Sequence, residues 1–190
     1  WLNLIHLLKP DGVLIDVGCA YGYLVNEARQ RGYRAFGLDI SRFALRQEPD
    51  FRAWFLEASA SGLCIKDRST DVITIFDVLE HLPDDRAILR GLGRLLKPGG
   101  VLILTVPAHM SLWSYFDVSA CHCRRYDRGE LAAKMAETGF EVAYLTEFMM
   151  LLFPLVWAGR RLNGGRRPVS REVADARTAN ELKIIPGVDG

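Results

Sequence analysis

The sequence predicts an α/β protein: a doubly wound, mostly parallel sheet with helices on both faces. Three observations predict it. Short apolar runs alternate with helix-forming segments at least four times, and parallel neighbours need such crossover connections. The run VLILTV, Val101–Val106, is aliphatic throughout, as in a strand buried on both faces. The first apolar run, from Val13, ends in the glycine turn of VLIDVGCAYGYL, and sheets of this class bind ligands at the carboxyl ends of their strands.

The elements follow in order. Residues 2–8 read as a short amphipathic helix, and the turn PDG at 10–12 releases the first strand. Beyond the glycines, Glu27, Ala28 and Arg29 favour helix. YRAFGLDI, Tyr33–Ile40, is the second strand, and SRFALRQ is a helix that the Ser41 hydroxyl can cap. A third strand is expected in FRAWFLEA and a fourth in DVITIF, Asp71–Phe76. A helix runs from Pro83 to about Leu96, KPGG stops it, and Val101–Val106 is the fifth strand.

With 190 residues, 49% of them hydrophobic, the chain is expected to form a single domain over 1–190 with a substantial core. Within it, 10–147 is the expected core, 107–127 a lid, and 148–190 an apolar and basic C-terminal segment. Lys+Arg 24 against Asp+Glu 23 leaves a formal charge of +1, so the global footprint of a nucleic-acid binder is missing. Cysteines 19, 64, 121 and 123 are too few for a disulfide scaffold and suit a reducing compartment, which makes the cytoplasm the expected location. Lys9, Pro10 and Asp11 interrupt the first apolar stretch, so no signal peptide is legible there.

The glycine turn admits a purely structural reading, a strand-to-helix connection and nothing more. A dinucleotide fingerprint would need G-x-G-x-x-G. Gly18-Cys19-Ala20-Tyr21-Gly22 has alanine at the middle position and the wrong spacing, which weighs against a nicotinamide-dependent oxidoreductase. Asp16, two places before Gly18, would repel a pyrophosphate but favour an ammonium or a sulfonium. The ligand is therefore expected to carry positive charge.

VLIDVGCAYGYL, followed in order by GLDIS, FDVLEHLPD and LLKPGGVLILTVP, resembles the class I S-adenosylmethionine-dependent methyltransferases over roughly residues 10 to 145. The resemblance implies a Rossmann-like sheet, S-adenosylmethionine as cofactor and S-adenosylhomocysteine as product. It places the methionine end of the cofactor at Asp16, Gly18, Cys19, Ala20 and Gly22, with Ala20 where the family usually has glycine. Asp39, twenty-one residues after Gly18, would accept from both ribose hydroxyls, and Ile40 would pack on the adenine face. Ser59 and Ala60 align with the loop that reads the adenine edge; there the family usually has an acidic residue, and a neutral serine is a weaker acceptor. Phe76 and Asp77 fall where the family contacts the methionine end and the acceptor, although Asp77 also suits a cap for the next short helix.

The family's reaction is an in-line displacement that depends mainly on positioning, and a hydroxyl acceptor can use a histidine base. His122 and His81 are the candidates, His81 having an alternative place as a helix-start residue bonded to backbone. Lid residues Trp113, Tyr115, Phe116, Arg125 and Tyr126 are candidates to line an acceptor pocket with His122, as this segment does in small-molecule relatives such as those of quinone synthesis; ordinary packing is the alternative for each. Cys121, His122 and Cys123 are too close in sequence to face one ion easily, and no metal is expected. FDVLEH lacks the Asn/Asp-Pro-Pro-aromatic signature of methyltransferases acting on planar amides.

The expected function is methyl transfer to oxygen, nitrogen or carbon of a small-molecule or lipid-linked acceptor, against a non-catalytic S-adenosylmethionine-binding domain. The family sheet ends in an antiparallel hairpin, to which FEVAYLTEF from Phe140 would supply the first arm; LKII, Leu182–Ile185, leaves the last strand short or displaced. The eleven apolar residues Phe148–Ala158 are too few to span a bilayer, which takes about 20. With Arg160, Arg161, Arg166 and Arg167 they suit peripheral contact of 148–167 with anionic lipid; packing on a sheet edge or a partner chain is the alternative.

Overall fold

The computed structural model describes residues 1–41, 54–60, 62–148, 153–162, 170–173 and 175. Helix α1 (Leu2–Leu8) leads into β1 (Val13–Val17), and α2 (Tyr23–Gln30) connects it to β2 (Arg34–Asp39). After β3 (Phe55–Glu57) and β4 (Thr70–Phe76) come a 3₁₀ turn, Leu79–His81, then α3 (Asp85–Leu95) and β5 (Leu96–Thr105). A second 3₁₀ turn, Met110–Leu112, precedes α4 (Tyr115–Ser119), α5 (Arg128–Glu137) and α6 (Phe153–Leu162). The predicted helix at Ser41 and residues 51–53 of the predicted third strand lie outside the described residues.

All described strand pairs are parallel, in the order β3-β2-β1-β4-β5. The order reverses at β1, so the crevice beyond its carboxyl end is the switch point where such sheets take ligands. Strands β1 and β4 read as nearly continuous apolar runs because both faces are covered: Leu14, Ile15, Val17, Val72, Ile73 and Ile75 are all buried. In α3 the buried residues Ile88, Leu89, Leu92 and Leu95 form one helical stripe, and Asp84 caps the first turn by accepting from the Ala87 N–H at 2.9 Å.

Two expectations need correction. KPGG does not separate helix from strand: β5 already pairs at Leu96, opposite Thr70, and pairing resumes at Val101, opposite Val72. Lys97–Gly100 bulge out between those pairs, with Gly99 at φ +71° and Lys97 Nζ 2.6 Å from Asp71 Oδ2. FEVAYLTEF forms no strand. Val142, Tyr144 and Phe148 are exposed, and no described strand pairs with the segment to hold it extended. Its expected partner LKII lies outside the described residues. No described helix is long and apolar enough to cross a membrane.

The chain comprises two compact units, Trp1–Val106 with Lys134–Glu141, and Pro107–Ala133 with Val142–Gly190. The first contains the sheet and a buried ion pair, Lys134 Nζ to Asp85 Oδ2 at 2.5 Å. In the second, 107–127 is not an irregular loop. Its ends meet in a parallel bridge, Ala108 with Tyr126, and the His109 N–H donates to the Tyr126 carbonyl at 3.0 Å.

Candidate active site

The site is built where β1 stops. Gly18 and Gly22 hold φ of +78° and +76°, and a Cβ on either would lie 2.2 Å from Val78 Cγ2 or Phe55 Cζ respectively. Only glycine fits both the conformation and the space. Ala20 also lies in the left-handed region, at φ +45°, a conformation that glycine adopts more readily than alanine. Three N–H groups tie the turn to the end of β2. Gly18 and Cys19 donate to the Leu38 carbonyl at 2.7 and 3.1 Å, and Ala20 donates to Asp39 Oδ2 at 2.8 Å.

Asp39 receives a second backbone donor, Ser41 N–H to Oδ1 at 2.7 Å. A carboxylate has about four acceptor positions, so each oxygen retains one after these two bonds. That matches a ligand with two neighbouring hydroxyls. Ile40, next in the chain, is 74% exposed, a large apolar side chain at the mouth of the crevice. Ser59 is exposed and Ala60 half-buried; they follow β3, whose Glu57 pairs with Asp39, so parallel pairing sets them beside the end of β2.

Asp16 is buried in β1 opposite Thr74 of β4, whose hydroxyl donates to Oδ1 at 2.7 Å. Burial pushes its carboxyl from 3.8 up to about 6; the Thr74 hydrogen bond opposes the shift and the charge of Asp39 adds to it. A cation in the crevice would offset this penalty. Burial, then Asp16 and Asp39, push the Cys19 thiol up to about 12, so Cys19 is an inert core residue that offers the site its backbone.

Because the folded state raises the Asp16 pKa, the protein holds more protons folded than unfolded between about pH 4 and 6. That stability is present in full below 3.8 and is lost as pH rises through about 6. Asp16→Asn is expected to unfold at a higher temperature than the parent at pH 8, by at most about 3 kcal/mol in stability, with the difference vanishing near pH 4. Its affinity for a cationic ligand should fall. Thermal melts across pH check the first part; parallel curves for the two proteins would remove Asp16 as the origin.

At the end of β4, Asp77 sits at φ +51°. Its N–H donates to the Thr105 carbonyl and its Oδ1 accepts from the Thr105 hydroxyl, both at 3.1 Å. The following 3₁₀ turn has Val78 as its N-cap and no side-chain cap bond, so Asp77 faces β5 instead of capping. The Trp1 ring stacks on Phe76, centroids 5.1 Å apart. His81 is exposed and closes the turn, its N–H donating to the Val78 carbonyl at 3.0 Å.

In the second unit, Asp117 is fully buried and gathers three residues of the segment 107–127. Its Oδ1 accepts from Arg125 Nε at 2.6 Å and contacts His122 Nδ1 at 3.0 Å. Its Oδ2 accepts from the Ser114 N–H at 2.8 Å, completing a capping box for α4. Tyr115, Arg125 and Tyr126 are buried, whereas Trp113 is half-buried and Phe116 is 36% exposed. Of the expected pocket residues, Trp113 and Phe116 therefore keep the most access. The sequence reading missed Asp117, although Ser114-x-x-Asp117 carries the spacing of a helix N-terminus. It also missed Thr74 and Thr105, polar residues in aliphatic strands, each bonded to a carboxylate in or just after the neighbouring strand.

A family model described as "Methyltransferase domain" matches residues 2–145. The ubiquinone biosynthesis O-methyltransferase of Leptothrix cholodnii is 31% identical over 106 residues, 51% of this chain and 45% of that protein. The chain spans about half the length, or somewhat less, of the curated relatives it matches. The fold is shared with an S-adenosylmethionine-dependent methyltransferase of Mesorhizobium loti, at TM-score 0.64 and 20% identity over 85% of this chain and 91% of that one. It is shared too with the [4+2]-cyclase SpnF, at TM-score 0.66 and 21% identity over 96% and 75%. With the match over most of its length and the parallel sheet, switch-point turn and paired carboxylates described above, the chain belongs to the methyltransferase-domain family, the class I S-adenosylmethionine-dependent methyltransferases.

Proposed function

We propose that this chain, acting as a single methyltransferase domain, moves a methyl group from S-adenosylmethionine to a hydroxyl of a small-molecule or lipid-linked acceptor. The observation that carries the reading is the pair of carboxylates at the switch point. Asp39 is oriented by two backbone donors with an acceptor position left on each oxygen, and Asp16 is a buried acid that gains from a nearby cation. A pyrophosphate would meet both charges unfavourably. The O-methyltransferase name of the relatives favours oxygen as the methylated atom.

S-adenosylmethionine supplies an electrophilic methyl carbon, which passes to an acceptor lone pair as the sulfonium sulfur keeps the bonding electrons. In this reading Asp39 accepts from the ribose hydroxyls, Ile40, Ser59 and Ala60 receive the adenine, and Asp16, Phe76, Asp77 and the turn Gly18–Gly22 hold the methionine end. Trp113 and Phe116 contact the acceptor, and His122 takes the hydroxyl proton, with His81 as the second candidate. Calorimetry with S-adenosylmethionine, S-adenosylhomocysteine and NAD tests the cofactor, and labelled methyl donor with a panel of phenols and catechols tests transfer. Binding of NAD in place of the sulfonium would overturn the reading; tight binding with no transfer to any acceptor would favour a non-catalytic domain.

A lipid-linked acceptor gains support from the exposed apolar residues Phe148, Leu155 and Trp157, beside Arg160 and Arg161 in the sequence. An interfacial apolar and basic segment suits the cytoplasmic surface of an anionic membrane. Vesicle co-sedimentation is expected to require anionic lipid, weaken with salt and fall for the Arg160→Gln/Arg161→Gln variant. Protein left in the supernatant at low salt would point to a freely soluble acceptor.

A further inference from the structure

Trp1 breaks a local rule. It is the N-cap of α1, where Ser, Thr, Asp or Asn would accept from the first N–H groups of the helix, and its side chain makes no cap bond. It is not a core residue either: Trp1 is 56% exposed, while Leu2 and Ile5 anchor the helix in the core. A residue that serves neither helix nor core marks the kind of local inconsistency expected at a functional site.

The place of the ring narrows what it can meet. The indole stacks on Phe76, centroids 5.1 Å apart and planes 30° from parallel. Val17 pairs with Ile75, which sets Phe76, the last residue of β4, level with Gly18 of the turn. Val78 then packs where a Cβ on Gly18 would lie. The Trp1 ring therefore stands at the carboxyl end of β4, beside the switch point. In the order β3-β2-β1-β4-β5 that is across β1 from Ile40, Ser59 and Ala60, which follow β2 and β3. Neighbouring strands lie about 4.8 Å apart, so a ring on Trp1 and an adenine beside β2 and β3 are two or three strand spacings apart and are different groups.

We propose that Trp1, backed by Phe76, is the platform on which the methyl acceptor stacks, and that the acceptor is a planar aryl alcohol, a phenol or catechol, in preference to an aliphatic one. An indole already held by a second ring offers its exposed surface with little further loss of side-chain freedom. A planar π system gains stacking there as well as burial, whereas a saturated ring gains burial alone. Trp1 thus sets specificity, and the chemistry lies elsewhere: Trp1→Ala should raise KM for an aryl acceptor more than it lowers kcat.

The use of the platform in catalysis rests on the methyl-transfer reading above; stacking on Trp1 does not. Protein labelled with fluorotryptophan gives fluorine signals from Trp1, Trp54, Trp113 and Trp157, and Trp1→Phe identifies the first. Catechol, with cyclohexanediol as its saturated counterpart, is titrated with S-adenosylhomocysteine present. The Trp1 signal is expected to move with catechol and to stay with the diol. By calorimetry, Trp1→Ala should bind catechol about three- to tenfold more weakly, the range of one aromatic pair, and Trp1→Phe nearly as well as the parent. Affinity for S-adenosylhomocysteine should be unchanged in both. Leu7→Ala removes an exposed side chain from the far end of the same helix and should alter nothing. A parent that does not bind catechol overturns the proposal, as does a Trp1 signal that ignores catechol or follows the diol equally. So does a folded Trp1→Ala that binds catechol like the parent, loses S-adenosylhomocysteine instead, or loses no more than Leu7→Ala. Repeating the titration without S-adenosylhomocysteine separates the two claims: a protein that binds catechol at Trp1 but neither S-adenosylmethionine nor S-adenosylhomocysteine sinks the methyl-transfer reading and leaves the platform standing.

Discussion

Asp39→Ala is expected to lower the affinity for S-adenosylmethionine by tens- to several-hundred-fold while the sheet stays folded. Losing a charged acceptor for two hydroxyls costs about 2 to 4 kcal/mol. The structure adds a second contribution to the first. The same carboxylate anchors the N–H groups of Ala20 and Ser41, so its removal loosens the turn as well as the proposed ribose contact. Asp39→Asn should also bind poorly, because its amide would bring N–H protons against a backbone donor that now meets an oxygen. Calorimetry measures the loss directly, and thermal melts show that it is not unfolding. An unchanged dissociation constant for Asp39→Ala would remove the residue from the ribose site.

His122→Ala is expected to bind S-adenosylmethionine normally and to turn over a hydroxyl acceptor about 10²-fold more slowly, the usual size of a general-base contribution. The two measurements divide because His122 is none of the residues proposed to hold the cofactor. Its substitution leaves the Arg125 bond and the Ser114 N–H on Asp117, so the segment 107–127 retains its central ion pair. Turnover at the parent rate would take His122 out of catalysis, leaving positioning to account for the rate.

Much of the fold was legible because the signals are local. The apolar runs of β1, β4 and β5 name the strands, and the stripe Ile88, Leu89, Leu92 and Leu95 names α3, whatever surrounds them. The glycine turn is equally local: two glycines four residues apart, ending an apolar run, describe a left-handed turn that the backbone adopts at Gly18 and Gly22. Boundaries were less legible. KPGG carries every mark of a helix stop, yet whether the next residues form a loop or a bulged strand depends on Thr70 and Asp71, elsewhere in the chain. FEVAYLTEF has strand composition, but a strand exists only with a partner, and no run of residues can specify its partner alone.

The sequence by itself determined the parallel α/β class, the glycine turn, and Asp16 and Asp39 as the acids beside it, because alternation, turn chemistry and spacing are properties of neighbouring residues. The tertiary structure alone decided what those acids can do. Asp16 meets Thr74 across 58 residues of chain, and burial between strands, with the charge of Asp39, pushes its carboxyl to about 6 against the Thr74 hydrogen bond. Asp39 is oriented by an N–H that reaches it from the turn after β1, and Asp117 is held ionised by Arg125 from beyond its own helix. Protonation, orientation and burial are set by which groups surround a side chain, and the groups that surround these arrive from distant segments through strand register and backbone closure.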